Sequence, residues 1–376
     1  MRFRHPDGSL LHLAYCSNVH PADDLDGVAA QLERYAARVR GRLDVPVLGV
    51  GLWVAAPALA DGDAAARLRE QVLRLGLEVV TLNGFPYEAF HADVVKLGVY
   101  RPNWADPRRR EYTLGLARLL ATLLPDDVAE GSISTLPLGW RTEWDADAAA
   151  AGRRALESVA EGLIALEAET GKRIRIALEP EPGCTIETVA QAADYLGGLA
   201  PERIGLCLDA CHLAVQFEVA DGALGLLAGA GVPVVKAQVS SALRVPVPGD
   251  ARDFLDGFAE PRFMHQVREV VAGRVAGADD LPDALAGALP AQDEWRVHFH
   301  VPVHAAEHTT QHELEATLAA LVGGPAPLTT HLEVETYTWG VLPDGPDGDA
   351  GLVEGLAAEL AWTRDRLVAL GAEEVR

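Results

Sequence analysis

Basic residues are scarce in this chain. Lys and Arg number 32 against 55 Asp and Glu in 376 residues, for a formal net charge of −23. Such a surface repels phosphate backbones and anionic lipid, which argues against a nucleic-acid or membrane partner. Cysteine is scarce too: Cys16, Cys184, Cys207 and Cys211 form no CxxC pair. A cysteine-based structural zinc cluster is thereby excluded, and the lack of a disulfide pattern points to a reducing cytoplasm. Long apolar runs are missing. The uncharged stretch Val45–Ala60 is too short to span a bilayer and is broken by two prolines and two glycines, and no apolar segment follows the charges of Met1–Gly8. No GxxxxGK[ST] or GxGxxG follows a strand-like run, and no GxSxG is present. Nucleotide-binding folds and α/β-hydrolases therefore lose their main signals.

Present instead is a composition of 49% hydrophobic and 23% charged residues, enough for one large α/β barrel or two ordinary domains. Strand-like runs are predicted at Leu10–Cys16, Val47–Val54, Leu77–Asn83, Gly131–Leu136, Ile174–Glu179, Ile204–Asp209, Val232–Ser240, Val297–Val301 and His331–Thr336. Helical stretches separate many of them, such as Leu25–Leu43, Ala64–Leu75, Glu111–Leu124 and Asp147–Thr170, the last closed by Gly171. Thr185 is expected to cap a helix over Ile186–Leu196, and Thr310–Glu313 reads as a capping box. The βαβα rhythm predicts a parallel sheet, and about eight units predict a closed (β/α)8 TIM barrel over residues 1–376. Face parity agrees. Ile174, Ile176 and Leu178 oppose Arg175, Ala177 and Glu179, and Lys236, Gln238 and Ser240 share a face. Aliphatic on one face and small or polar on the other suits a barrel whose lumen carries chemistry, whereas an open doubly wound sheet is apolar on both. Nine candidates compete for eight places, so one, Val297–Val301 or an early hairpin, belongs elsewhere. Residues 243–295, with a helix over Arg262–Val275, read as an excursion over the C-terminal face, and Gly351–Arg376 as a final helix.

Three strand-like runs end on acids: Glu179, Asp209 and Glu335. A carboxylate at a buried strand end needs a cation, a proton or several donors. Three at the C-terminal mouth of one barrel point to a single divalent ion (Mn, Mg, Zn or Co), because carboxylate oxygens suit hard cations and imidazole adds affinity for the softer ones. For each alone, the competing role is a helix cap or an ion pair. Five of the 12 histidines fall within fifteen positions, at His298, His300, His304, His308 and His312. Of these His300 is the first choice as imidazole ligand, with Gln238 its rival. His212 and Lys236 are candidates to steady substrate oxygens. His12, Asn18, Asn83, Glu181 and His298 are further candidates for substrate contact. The long loop Asn83–Arg110 offers aromatics to wall a sugar-like ring and Arg101 to meet a phosphate.

At these residues the chain resembles the xylose-isomerase-like superfamily of TIM barrels, which includes sugar isomerases, epimerases, inosose dehydratases and the apurinic-site endonuclease. Glu179 in Leu-Glu-Pro, Asp209 in Leu-Asp-Ala-Cys-His and Glu335 in Val-Glu-Thr match its three acids, and His212 its substrate-side histidine. The departure is Gln238 where the family commonly has its histidine ligand. Leu-Glu-Pro-Glu-Pro-Gly-Cys, Lys-Ala-Gln-Val-Ser-Ser-Ala-Leu, His-Phe-His-Val-Pro-Val-His and Glu-Val-Glu-Thr-Tyr-Thr-Trp look more like one branch, the Ebo-cluster metabolite traffic proteins. The resemblance implies an enzyme of secondary metabolism, an isomerase or epimerase for a sugar, sugar phosphate or cyclitol. Glu179 and Glu335 would exchange a proton with an enediolate held at the metal. A metal-dependent hydrolase or dehydratase and a non-catalytic carrier are the alternatives, with a homodimer among the assemblies open to it.

Overall fold

A closed sheet has two unlike faces, and the alternation along these strands follows from that. The computed structural model describes residues 1–22, 24–60 and 64–375. Its strands, in chain order, are β1 (Arg2–Arg4), β2 (Leu10–Cys16), β3 (Leu48–Trp53), β4 (Leu77–Glu78), β5 (Thr81–Asn83), β6 (Glu130–Thr135), β7 (Arg173–Leu178), β8 (Ile204–Asp209), β9 (Val234–Val239), β10 (Ala242–Val245), β11 (Val267–Val271), β12 (Arg274–Ala278), β13 (Trp295–His300), β14 (His331–Val334) and β15 (Glu373–Val375). Eight of them pair in parallel in the order β2-β14-β9-β8-β7-β6-β5-β3, and β3 returns to β2 to close the ring. This is the (β/α)8 barrel that the sequence predicts.

The outward faces, among them Leu13, Ile176, Leu206 and Leu332, are buried under the surrounding helices in one continuous core. Each such side chain contributes about 1.5–3 kcal/mol. The inward faces are small or polar. At the N-terminal end of the ring, His12 lies beside Glu78 at 3.4 Å, and His331 meets Ser132 at 2.8 Å. Above them Lys236 is paired with Glu333, both side chains 0% exposed. Gly51 makes room for this pair, since a Cβ there would overlap the Glu333 carboxylate.

A second, antiparallel sheet, β10-β13-β11-β12, sits beside the mouth with its own apolar cluster around Leu243, Val267, Trp295, Val297 and Phe299. The ninth strand candidate, Val297–Val301, is thereby β13 and lies outside the ring. The helix expected over Arg262–Val275 is instead the β11–β12 hairpin. Its valines favour a pleated surface, and Ala272 and Gly273, at φ 50° and 76°, form its two-residue turn. The helix expected from Thr185 begins later, over Val189–Leu196, where Thr188 and Gln191 form the capping box. Thr310 precedes the helix Gln311–Val322 without a side-chain cap, because its hydroxyl accepts from the Ala242 amide and Glu313 is drawn to Arg296. The last helix runs Gly348–Ala369 and stops before β15, which pairs with β1; Arg376 lies outside the described residues.

That last helix carries one carboxylate, Glu359, on its buried side (0% exposed). Burial pushes it up to about 7, against the lowering effect of its hydrogen bonds. The folded chain therefore holds this proton between the ordinary carboxylate range and about pH 7, where the unfolded chain has lost it. Stability linked to Glu359 is present at low pH and lost as pH rises through about 7. A Glu359→Gln variant is expected to lose this slope, gaining about 3 kcal/mol on wild type between pH 4 and 8 in urea titrations. Parallel pH profiles would refute the assignment.

Candidate metal centre

The strand ends deliver three acids to one place. Asp209 ends β8, Glu179 directly follows β7 and Glu335 directly follows β14. One ligand oxygen from each lies within 4.8 Å of the others. Oxygens bound to one ion at about 2.0–2.6 Å are separated by no more than about 5 Å, so this spacing fits shared coordination.

Hydrogen bonding separates the oxygens that are occupied from those that are free. The Asn18 and Asn83 amides both donate to Glu335 Oε1, at 2.7 and 2.8 Å. Asp209 Oδ1 accepts from the His212 amide at 2.9 Å, capping the helix Ala210–Val215, and from the Ser240 hydroxyl at 2.8 Å. Asp209 Oδ2 and Glu179 Oε2 are buried and have no hydrogen-bond partner. His300 completes the pattern. Its Nδ1 donates to the Glu335 carbonyl at 2.7 Å, which leaves Nε2 with a lone pair, and that atom is likewise buried without a partner. Burial depresses the His300 imidazole to about 4, so the ring is neutral at physiological pH. Asp209, His212 and His300 also form a compatible ligand trio, as do Cys211, His298 and His300. Unpartnered buried acceptors are costly. The donor set fits a divalent cation, with Glu179, Asp209, His300 and Glu335 to hold it.

Without a cation the carboxyls repel. Burial, then Glu335 and Asp209, push Glu179 well above the usual carboxylate range. Burial, then Asp209 and Glu333, do the same to Glu335.

The centre opens into a pocket at the barrel mouth. Asn18, Asn83, Glu179, Glu181, His212, His298, His300 and Glu335 all line it. His212 Nδ1 donates to the Pro180 carbonyl at 2.8 Å, while its Nε2 meets His298 Nε2 at 3.0 Å. Glu181 accepts from the Tyr100 hydroxyl at 2.6 Å, and burial raises its carboxyl to about 7. Gln238 lies in register with Asp209 and Glu333, with neither amide atom partnered.

Three expected site residues lie elsewhere. His12 belongs to the opposite end of the ring, because it stands early in β2 and active-site groups come from strand ends. Lys236 is sealed below the centre against Glu333 and Ser134 and does not line the pocket. Arg101 is turned outward to Glu143. Conversely, Phe263, Met264 and Tyr337 line the pocket, and Gln266 bridges His298 and Tyr100. Tyr337 had a signal, standing two residues after Glu335. The other three are on the hairpin approach that the sequence disguised as a helix.

Comparison with known proteins agrees with the barrel. Residues 48–246 match the model of the xylose isomerase-like TIM barrel family, and the chain belongs to that family. Solved structures of similar fold include D-psicose 3-epimerase from Clostridium cellulolyticum H10, at TM-score 0.50 and 15% identity, covering 95% of this chain and 99% of that one. A probable 3-DHS dehydratase of petrobactin synthesis from Bacillus anthracis gives TM-score 0.51 and 12% identity, covering 94% and 99%. A xylose isomerase-like TIM barrel protein from Mycobacterium smegmatis, in complex with magnesium, gives 0.50 and 14%, covering 95% and 98%. No curated protein matches. No described helix is long and apolar enough to cross a membrane.

Proposed function

We propose that this chain is a metal-dependent isomerase or epimerase acting on a small polyhydroxylated carbonyl compound of the sugar or cyclitol type. The observation that carries the reading is the gathering of Glu179, Asp209 and Glu335, one ligand oxygen of each within 4.8 Å of the others, with His300 within the same reach of Asp209 and with unpartnered buried atoms on Glu179, Asp209 and His300. Held by Glu179, Asp209, His300 and Glu335, a divalent ion would supply Lewis acidity toward a substrate carbonyl.

The chain's own residues do the rest. Glu179 removes the proton from the carbon next to the carbonyl, and Glu335 returns one to the enediolate. Asn18 and Asn83 fix the Glu335 carboxylate. His212 and His298 face the substrate oxygens, and Phe85, Phe90, Phe263 and Tyr337 exclude water from the ring. Lys236, walled off by Glu333, takes no part in substrate contact.

The phrases that resemble those of the Ebo-cluster metabolite traffic proteins contain Glu179, Gln238, His300 and Glu335, and on that resemblance we propose a place in secondary metabolism. They also keep a carrier role as the rival. Titration with Mn²⁺ followed by deuterium uptake from D₂O into a panel of hexoses, pentoses, their phosphates and cyclitols is the test. Metal binding with deuterium at the carbonyl-adjacent carbon is expected. Ligand binding without exchange, preserved in Glu179→Gln, would favour the carrier, and loss of water or phosphate would favour dehydration or hydrolysis.

A further inference from the structure

The imidazole of the centre does not come from the barrel. His300 ends β13, in the second sheet, whereas Glu335 follows the barrel strand β14. β13 is led to the mouth by its pairing with β10, where Ala242 faces His300. On the other side, no strand pairing joins β13 to β14. Side chains join them instead. His300 Nδ1 donates to the Glu335 carbonyl at 2.7 Å, and the Thr338 hydroxyl donates to the His300 carbonyl.

Both segments are then gripped from outside the ring by one group. The Glu359 carboxylate, on the helix Gly348–Ala369, accepts from the Val303 amide at 3.1 Å and the Thr336 hydroxyl at 2.6 Å on Oε1. Its Oε2 accepts from the Trp339 indole at 3.0 Å. Val303 is three residues beyond His300, and Thr336 is next to Glu335. Gly355, one turn earlier on the helix, leaves space for the Trp339 ring, which an added Cβ would strike. Glu359 forms no ion pair among the described residues, so a cation is not what keeps a carboxylate in this core. Three donors from two segments need two acceptor oxygens, and a carboxylate offers both.

We infer that Glu359 is a positioning residue that sets the distance between His300 and Glu335, and so the geometry of the metal centre that the proposed function requires. It touches neither pocket nor ligand atoms and acts through Val303, Thr336 and Trp339.

The test compares wild type, Glu359→Ala, Glu359→Gln and Thr336→Val, each shown to be folded by circular dichroism. Mn²⁺ affinity is read by calorimetry. The His300 Nδ1–H resonance of the metal-free protein, assigned with His300→Asn, is read by NMR. Glu359→Ala is expected to weaken Mn²⁺ binding about 10- to 100-fold and to lose the resonance to solvent exchange. Glu359→Gln keeps one acceptor oxygen for Val303 and Thr336, and should stay within about threefold of wild type with the resonance intact. Thr336→Val should shift both readouts in the direction of the alanine variant, and it decides the matter if Glu359→Ala does not fold. Folded variants with wild-type affinity and an unchanged resonance overturn the assignment. If wild type itself takes up no Mn²⁺, the metal reading falls, and the resonance alone still decides the role of Glu359.

Discussion

Lys236→Met will destabilise the chain by about 3–5 kcal/mol, the usual cost of removing one partner from a buried ion pair. The Lys236 ammonium is in contact with Glu333, donates to the Ser134 hydroxyl at 3.2 Å and to the Leu82 carbonyl at 3.4 Å, and is fully shielded from water. Burial alone would favour the neutral amine. The Glu333 carboxylate and the other neighbouring groups together outweigh it and raise the lysine above its ordinary value, so the ammonium stays charged. Removing the cation leaves the buried Glu333 carboxyl without its partner beneath three further carboxyls, with Gly51 offering no donor on that side. The double variant Lys236→Met/Glu333→Leu removes the charge and the orphan together and should recover most of the loss. Urea denaturation of the three proteins at pH 7 checks this. A single-variant loss under about 1 kcal/mol would show that water reaches Glu333.

Glu179→Gln will lower proton exchange about 10²- to 10⁴-fold, the range expected when a positioned general base is lost. The same substitution should stabilise the metal-free protein at neutral pH. Burial and the neighbouring Glu335 and Asp209 hold the Glu179 carboxyl well above its ordinary value. The folded state therefore binds a proton that the unfolded chain releases near pH 4.5, and metal-free stability falls as pH rises from there through the folded value. Glutamine has no proton to lose and escapes that fall. Deuterium-uptake rates and urea profiles of the metal-free proteins at pH 5 and 8 read both effects. Activity within tenfold of wild type would rule out Glu179 as the base. A Gln variant no more stable at pH 8 would rule out the repulsion.

The ring was legible because its signals are local. Ile174–Leu178 and Ile204–Leu208 alternate, each run ends on an acid or one residue short of it, and Gly171 stops a helix at φ 71°. Period and turn chemistry can be read a few residues at a time. The second sheet was not legible for the converse reason. Arg262–Val275 is short, its turn uses Ala272 in a left-handed conformation, and its apolar residues suit either period. Arg101 and Lys236 are paired away from the pocket, because a charge reports that a partner is needed, not which one. Glu143 and Glu333 answered for them.

The sequence by itself determined the barrel, the three acids at strand ends, and a histidine-rich segment to serve them. Strand parity and chain direction force those acids toward one mouth, and both are properties of consecutive residues. Only the tertiary structure decided that His300 reaches that mouth from a different sheet, that Lys236 lies beneath it, and that Glu359 ties the two sheets together. Those outcomes depend on contacts between segments 35 to 102 residues apart, where packing and the pairing of buried charges choose among partners that the linear order leaves equivalent.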